Sequence, residues 1–182
     1  MSDFLPSDYE VPSTSNYMKF IIGDNRFRIL ASPIIGWETW TEENGARKPL
    51  RTPMKKPFTV DVVDNPEEIK HFWAMPVYNY QDKRIQILEI TQKGIQKTLK
   101  ALARDEDWGS PVQKYDLVVT RTGDGMETRY EVLPKPASPM DDSIIKEYET
   151  MKINLNALFD GDDPFAQGKE KLENVDPDEV DI

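Results

Sequence analysis

Alternating apolar and polar positions predict the first long strand of this chain. In residues 25–40, Phe27 and Ile29 alternate with arginines, which is the period of a strand with one buried face. Pro33 and Gly36 interrupt the pattern, so we expect a bend or bulge in the middle of the strand.

Shorter apolar segments predict the rest of a sheet. The candidate strands are residues 58–63, 70–80, 84–91, 115–122 and 126–133. The sequence Gly123-Asp124-Gly125 joins the last two, and Asp-Gly between strands is a strong hairpin signal.

Two segments have the period of amphipathic helices instead. Within residues 92–104, Ile95 and Leu99 fall on one face, and Thr91 is the candidate N-cap. The first half of residues 141–159 has a similar pattern, which suits a helix that docks on the body or on a partner.

Residues 41–57 show no apolar period and contain three prolines, so we expect a long loop. The loop is basic, and a functional role is common for loops of this length. Its five cationic residues are Arg47, Lys48, Arg51, Lys55 and Lys56.

The order of these elements predicts a mainly β fold. A five-stranded Greek-key barrel with one helix between its third and fourth strands is the OB-fold plan, and an α+β sheet with a helix on one face is the alternative. We expect four parts: a flexible arm (1–16), the OB-fold domain (17–136), a linker with the amphipathic helix (137–159), and a disordered acidic tail (160–182).

Composition narrows the chemistry. The chain has 182 residues, no Cys and one His, which excludes disulfides, thiol nucleophiles, Cys-ligated metals and two-His metal sites. No apolar run reaches the length of a membrane span, and the first residues lack a basic cluster, so we expect neither a membrane segment nor a secretory signal.

Charge is distributed unevenly. The net charge is −10, yet residues 19–104 contain 15 basic and 10 acidic residues, whereas residues 141–182 contain 4 basic and 13 acidic ones. A mildly basic body therefore carries a strongly acidic end. Local fields, and not the summed charge, decide which partners bind.

The aromatic and basic residues fall where an OB-fold presents its ligand, on the second and third strands and the loop after the first. Single-stranded nucleic acid is held by rings that stack on bases and by cations that neutralise phosphates. The candidate rings are Trp37, Trp40, Phe72, Trp73, Tyr78 and Tyr80. The candidate cations are Arg28, Lys48, Arg51, Lys55, Lys56, Lys70, Lys83 and Arg84.

Strand parity separates these rings. Phe72, Tyr78 and Tyr80 share one face of a regular strand, and Trp73 lies on the other, which has the character of a core. Each ring has a packing role as an alternative to stacking.

The residue types also raise three other functions: a metal-dependent nuclease, a protein-binding module and an RNA-binding protein. Carboxylates cluster near residues 61–68, 105–107 and 160–163, but in turns and a tail that give no rigid frame for a metal-dependent nuclease, so we expect no enzyme, cofactor or metal. An OB-fold module that binds proteins and not nucleic acid remains the alternative. RNA is a near neighbour of DNA as the ligand.

Four runs and the acidic end of the chain carry a family resemblance that covers residues 17–136: FRILASPIIGWETW, HFWAMPVYNY, IQILEITQKGIQKTLKAL and DEDWGSPVQKYDLVVTRTGDGMETRYEV. In these runs the sequence resembles the OB-fold single-stranded DNA-binding proteins of bacteriophages. The resemblance implies a protein that coats and protects single strands in DNA replication, recombination and repair, in the cytoplasm of the host cell. The zinc-binding subdomain of some such proteins is excluded in its usual form by the lack of Cys.

The resemblance also implies that the tail recruits replication or recombination proteins. The residues expected to do so are Asp176, Asp178, Glu179, Asp181 and Ile182. A flexible polyanion next to a cationic groove would also compete with DNA by mass action.

Overall fold

The computed structural model describes residues 4–5, 15–59, 61 and 63–168. The strands are β1 (Tyr17–Met18), β2 (Gly23–Ile29), β3 (Ile34–Glu43), β4 (Ala46–Pro53), β5 (Lys70–Asn79), β6 (Arg84–Ile90), β7 (Leu117–Thr122) and β8 (Arg129–Pro134). The helices are α1 (Lys93–Arg104) and α2 (Asp142–Met151), and 3₁₀ turns cover Pro66–Glu68, Gly125–Glu127 and Leu155–Asp160.

The eight strands of the described residues form one mixed sheet, as expected for a mainly β fold. Its main path runs β1-β6-β5-β2-β7-β8, and among these described strands only the short β1–β6 pairing is parallel. Both β2 and β3 pair with the same edge of β5, with the break between them near Pro33. The expected long strand with a bend is thus present as β2 and β3.

One face of the sheet encloses the first core. Side chains from six strands meet there with Ile95 and Leu99 of α1. The helical period of the sequence predicts this apolar face of α1. Phe27, Met75 and Leu117 are among its least exposed members. Because β1, β2, β5, β6, β7 and β8 all contribute to this core, the sheet curls around it in a barrel-like manner.

A second core covers the opposite face of the sheet. Phe72, Ala74 and Ile87 pack against Leu158 and Phe165, which come from near the end of the described chain. We call residues 135–168 the C-terminal segment. Its helix α2 begins at Asp141, whose carboxylate accepts a bond from the backbone N–H of Ser143.

The C-terminal segment corrects one expectation. Disorder was predicted from residue 160 onwards, but residues 160–168 are described, and Phe165 is only 6% exposed. The acidic composition of this stretch concealed one large ring that the sheet buries. Residues 169–182 lie outside the described residues, as does most of the expected N-terminal arm.

The basic loop at residues 41–57 is the main error in the predicted elements. β3 continues to Glu43 and pairs with β4 in register from Gly36↔Pro53 to Glu43↔Ala46. Asn44 and Gly45 both adopt positive φ, which the two-residue turn of a hairpin requires. The alternation was hidden because this ribbon extends beyond its β5 partner and buries few side chains.

Two smaller expectations also differ from the structure. Phe58 and Thr59 of the predicted strand 58–63 have no strand assignment, and residues 60 and 62 of that strand lie outside the described residues. The N-cap of α1 is Gln92 and not Thr91, and no side chain closes that helix end. The hairpin after β7 closes through a 3₁₀ turn, where the carboxylate of Asp124 accepts from the Gly125 N–H.

Candidate nucleic-acid interface

Three side chains, Trp37, His71 and Trp73, form a row across β3 and β5 that we call the aromatic row. Trp37 lies directly opposite His71, and Trp73 follows two residues later on the same face of β5. The Trp37 and His71 ring centroids are 5.3 Å apart. Ile35, opposite Trp73, is 44% exposed and continues the row toward solvent.

Hydrogen bonds fix the row in one arrangement. The Nδ1 of His71 lies 2.9 Å from the carbonyl oxygen of Gly36, which requires the proton on Nδ1. Nε2 of His71 then accepts from the indole Nε1 of Trp73 at 3.2 Å. The rings are therefore held in place before any ligand arrives.

The row is also tied to its neighbours. The indole Nε1 of Trp37 donates to the carbonyl oxygen of Met54 at 3.2 Å, just beyond β4. Gln96 of α1 donates to the carbonyl oxygens of His71 and Ile90. The start of α1 thus lies against β5 at the row.

A basic stripe runs along α1. It consists of Lys93, Lys97, Lys100 and Arg104, which are all exposed and fall within about 60° of one another around the helix. No acidic residue occurs in α1, and within the described residues no ion pair involves these four cations. Such cations are available to phosphates.

Two further lysines border this side of the sheet. Lys55 and Lys56 follow β4, next to Met54, whose carbonyl oxygen accepts from the Trp37 indole and whose N–H donates to the carbonyl oxygen of Ile35. Lys70 begins β5 opposite Glu38, and therefore lies on the other face of the sheet from His71. All three lysines are exposed, and the described part of the chain provides none of them with a salt bridge.

Trp40 lies on the other face of β3 from Trp37. It is 36% exposed, and the Arg47 guanidinium lies 5.1 Å from its ring centre. Lys48 pairs with Glu43 at 3.1 Å across the hairpin. Arg47 also lies 3.8 Å from Glu68, so this part of the ribbon is accessible but both of its cations have an acidic partner.

Arg28 is not available to phosphates, which corrects the expectation for this residue. Its side chain is 1% exposed, and its guanidinium donates to Asp116 at 2.6 Å and to Ser138. The same carboxylate accepts from Arg26 and from the hydroxyl of Tyr80. Burial and this hydrogen bond raise the pKa of Tyr80 to about 12.

Arg51 is likewise committed to the interior. It is 10% exposed and donates to Glu38 at 2.9 Å and to Glu89 at 3.2 Å. Burial, together with the adjacent Glu89, raises the pKa of Glu38 to about 8, so Glu38 holds a proton near neutral pH. We call these three residues the buried ion cluster.

The C-terminal segment covers Phe72 and Tyr78, two of the rings expected to stack on bases. We call the face of the sheet on which they lie the outer face. Phe72 is fully buried, with the Phe159 ring 6.1 Å away. Tyr78 is partly buried against Tyr80. Burial and the nearby carboxylates of Glu147 and Asp141 raise the pKa of its hydroxyl. Stacking by Phe72 is therefore ruled out in this arrangement.

The remaining candidates lie away from the aromatic row. Lys83 is exposed in the turn between β5 and β6, and Arg84 donates to the side chain of Asn16. The five tail residues expected to bind partners lie outside the described residues.

The structure therefore brings together Trp37 and Trp73 with lysines 55 and 56, and separates them from the other candidates, including Lys70 on the other face. It adds His71 and the basic stripe, which the prediction of the site omitted. The signal for this stripe in the sequence is the spacing of four, three and four residues between the cations of α1.

Comparison with known proteins identifies no relative. No family model, no curated protein and no solved structure matches the chain. In the described ranges, no helix is long and apolar enough to span a bilayer, and no group of three or more His, Asp or Glu residues is placed to hold a metal ion.

Proposed function

We propose that this protein binds single-stranded DNA with little sequence preference through the aromatic row and the basic stripe. The observation that carries the proposal is the juxtaposition at Trp73 of fixed, partly exposed rings with Lys100 and Arg104, which lack acidic partners in the described chain. Bases stack on such rings irrespective of sequence, and phosphates are neutralised by the lysines.

The topology supports an OB-type barrel as the framework. The joined β2 and β3 would be its first strand, β5 and β6 its second and third, and β7 and β8 its fourth and fifth, with α1 between the third and fourth. The β3–β4 ribbon would then be an elaborated loop after the first strand. One departure is that β8 pairs with β7 alone within the described residues.

A role in replication, recombination and repair in a host cytoplasm follows from the resemblance to phage proteins. Under this proposal the acidic end recruits other proteins of those processes. No catalysis, cofactor or metal is part of the proposal.

The decisive experiment compares two tryptophans of one strand. A labelled oligo-dT is titrated by fluorescence anisotropy against the native protein and the variants Trp37→Ala and Trp40→Ala. We expect about a tenfold loss for Trp37→Ala, since one stacked base contributes about 1–3 kcal/mol, and less than about threefold for Trp40→Ala. Equal effects of the two variants would remove the aromatic row from the proposal.

Salt dependence tests the basic stripe separately. Replacing Lys93 and Lys97 by Gln should reduce the slope of log K against log salt by about 0.7 per lysine. Lys146→Gln on α2 is the control and should leave the slope unchanged. Native protein that binds no single strand at low salt would refute the function and favour the protein-binding module.

A further inference from the structure

An apolar cleft adjoins the aromatic row at Trp73. It has a volume of about 270 Å³ and lies between the end of α1 and the break between β2 and β3. Ile29, Leu99 and Val112 line it together with the Trp73 indole. The cleft and the row therefore share one ring.

The polar groups at this cleft are cationic or hydroxylic. Lys100 and Arg104 of the basic stripe line it, together with Ser32 and Ser110. No acidic residue is among the described residues that line it. A ligand with a flat apolar part and a nearby negative charge fits this arrangement.

We propose that the cleft takes one nucleobase of a bound single strand, with the phosphate of that nucleotide on Lys100 and Arg104. This inference rests on the proposed function and adds a defined position to it. The base would pack against Trp73 and the aliphatic side chains, and the two serine hydroxyls would meet its polar edge. The backbone would continue from there along the aromatic row.

Continuity with the row favours a nucleotide over an acidic peptide as the occupant. A peptide would also satisfy Lys100 and Arg104, but it gives no account of why the cleft shares its indole with a row of rings. A strand that stacks on Trp37 and His71 can continue to Trp73 on the same side of the sheet, because the three side chains lie on one face of two paired strands.

Two alanines of α1 provide a matched test. Ala103 lines the cleft, whereas Ala101 lies about 200° away around the helix and does not line it. Ala103→Trp would fill the cleft, and Ala101→Trp would add the same bulk elsewhere. We expect Ala103→Trp to weaken binding of an oligo-dT of about 15 nucleotides by about tenfold, and Ala101→Trp by less than twofold.

Methyl NMR of the native protein gives a second measurement that does not depend on folding of the variant. Addition of oligo-dT should shift the methyl resonances of Ile29, Leu99 and Val112. Binding by the native protein, with equal affinities of the two tryptophan variants and unmoved cleft methyls, would overturn the cleft and leave the proposed function intact.

Two other outcomes are informative. Cleft methyls that respond to a synthetic peptide of residues 169–182 and not to oligo-dT would overturn the nucleobase proposal in favour of a peptide site. Native protein that binds no oligonucleotide at all would overturn both proposals together. The titration of the native protein alongside Trp37→Ala gives this result without the cleft variants.

Discussion

The two faces of the sheet use similar residues in opposite ways. On the face of the aromatic row, exposed cations on α1 stand without acidic partners in the described chain. On the other face, Arg28 and Arg51 are buried against carboxylates and covered by the C-terminal segment. A basic residue near an aromatic ring in the sequence can thus belong either to an exposed binding surface or to a buried ion pair.

Carboxylates make the difference between these faces. Asp116 lies where the arginines of β2 meet, and Glu38 and Glu89 flank Arg51. Residues 141–168 add seven acidic residues against two basic ones over the same face. The buried arginines of the outer face are therefore paired with carboxylates of the chain itself, and under the proposed function the anionic ligand binds at the aromatic row.

The largest effect is expected from removing the charge at Asp116. Asp116→Asn leaves the buried Arg28 guanidinium without its counter-ion, and breaking one partner of a buried pair costs about 3–5 kcal/mol. Urea unfolding measures the loss. Glu131→Gln, an exposed carboxylate on β8, is the control and should change stability by less than about 0.5 kcal/mol. A loss below 1 kcal/mol for Asp116→Asn would show that Arg28 finds solvent or another partner.

The next effect tests whether the C-terminal segment is part of the folded body. Phe165→Ala opens a cavity against Phe72 and Ala74, and we expect it to lower the free energy of unfolding by about 3 kcal/mol. Leu133→Ala on exposed β8 is the control. The folded variant should bind oligo-dT as tightly as the native protein, because Phe165 and the aromatic row lie on opposite faces. A parallel loss of affinity would couple the two faces.

The sequence predicted most elements of the sheet but not the division between its faces. The alternation at Phe27 and Ile29 and the period of α1 were sufficient for β2 and the helix, since both bury a regular face. Parity also placed Trp73 on the side of the first core, as the structure confirms. The apolar period of a segment predicts its type and its buried side, because the period depends only on which side of that one element is buried.

Tertiary pairing set the rest. Nothing near Arg28 in the sequence indicates that Asp116, 88 residues away, lies opposite its guanidinium. The burial of Phe72 depends on Phe165 in the same way. The exposed β3–β4 ribbon buries too little to show alternation, so its prolines and basic residues resembled those of a loop.

The buried ion cluster gives the stability of the protein a dependence on pH. The pKa of Glu38 is raised to about 8 in the folded protein from an ordinary value near 4.5. The folded state therefore binds more protons between these values, and stability falls as pH rises through that window. One such proton limits the slope to about 1.4 kcal/mol per pH unit.

Glu38→Gln tests this directly, because the carboxamide resembles the protonated acid and can still donate to Glu89. We expect the variant to lose less stability than the native protein between pH 5 and pH 8, as measured by urea midpoints. Glu131→Gln should retain the native slope. Identical slopes for Glu38→Gln and native protein would show that Glu38 is not the group that binds the proton.

The smallest effect concerns the acidic end and the aromatic row together. Residues 169–182 contain six acidic and two basic residues, and a polyanion tethered to the same chain would compete with phosphates for the cations by mass action. Deleting 169–182 retains Phe165 and the second core, and we expect it to tighten oligo-dT binding about threefold at low salt and not at high salt, where the attraction is screened. Anisotropy titrations of both proteins across the salt range measure the difference. Unchanged affinity at low salt would show that the acidic end does not reach the row, and would leave the recruitment of partner proteins as its proposed role.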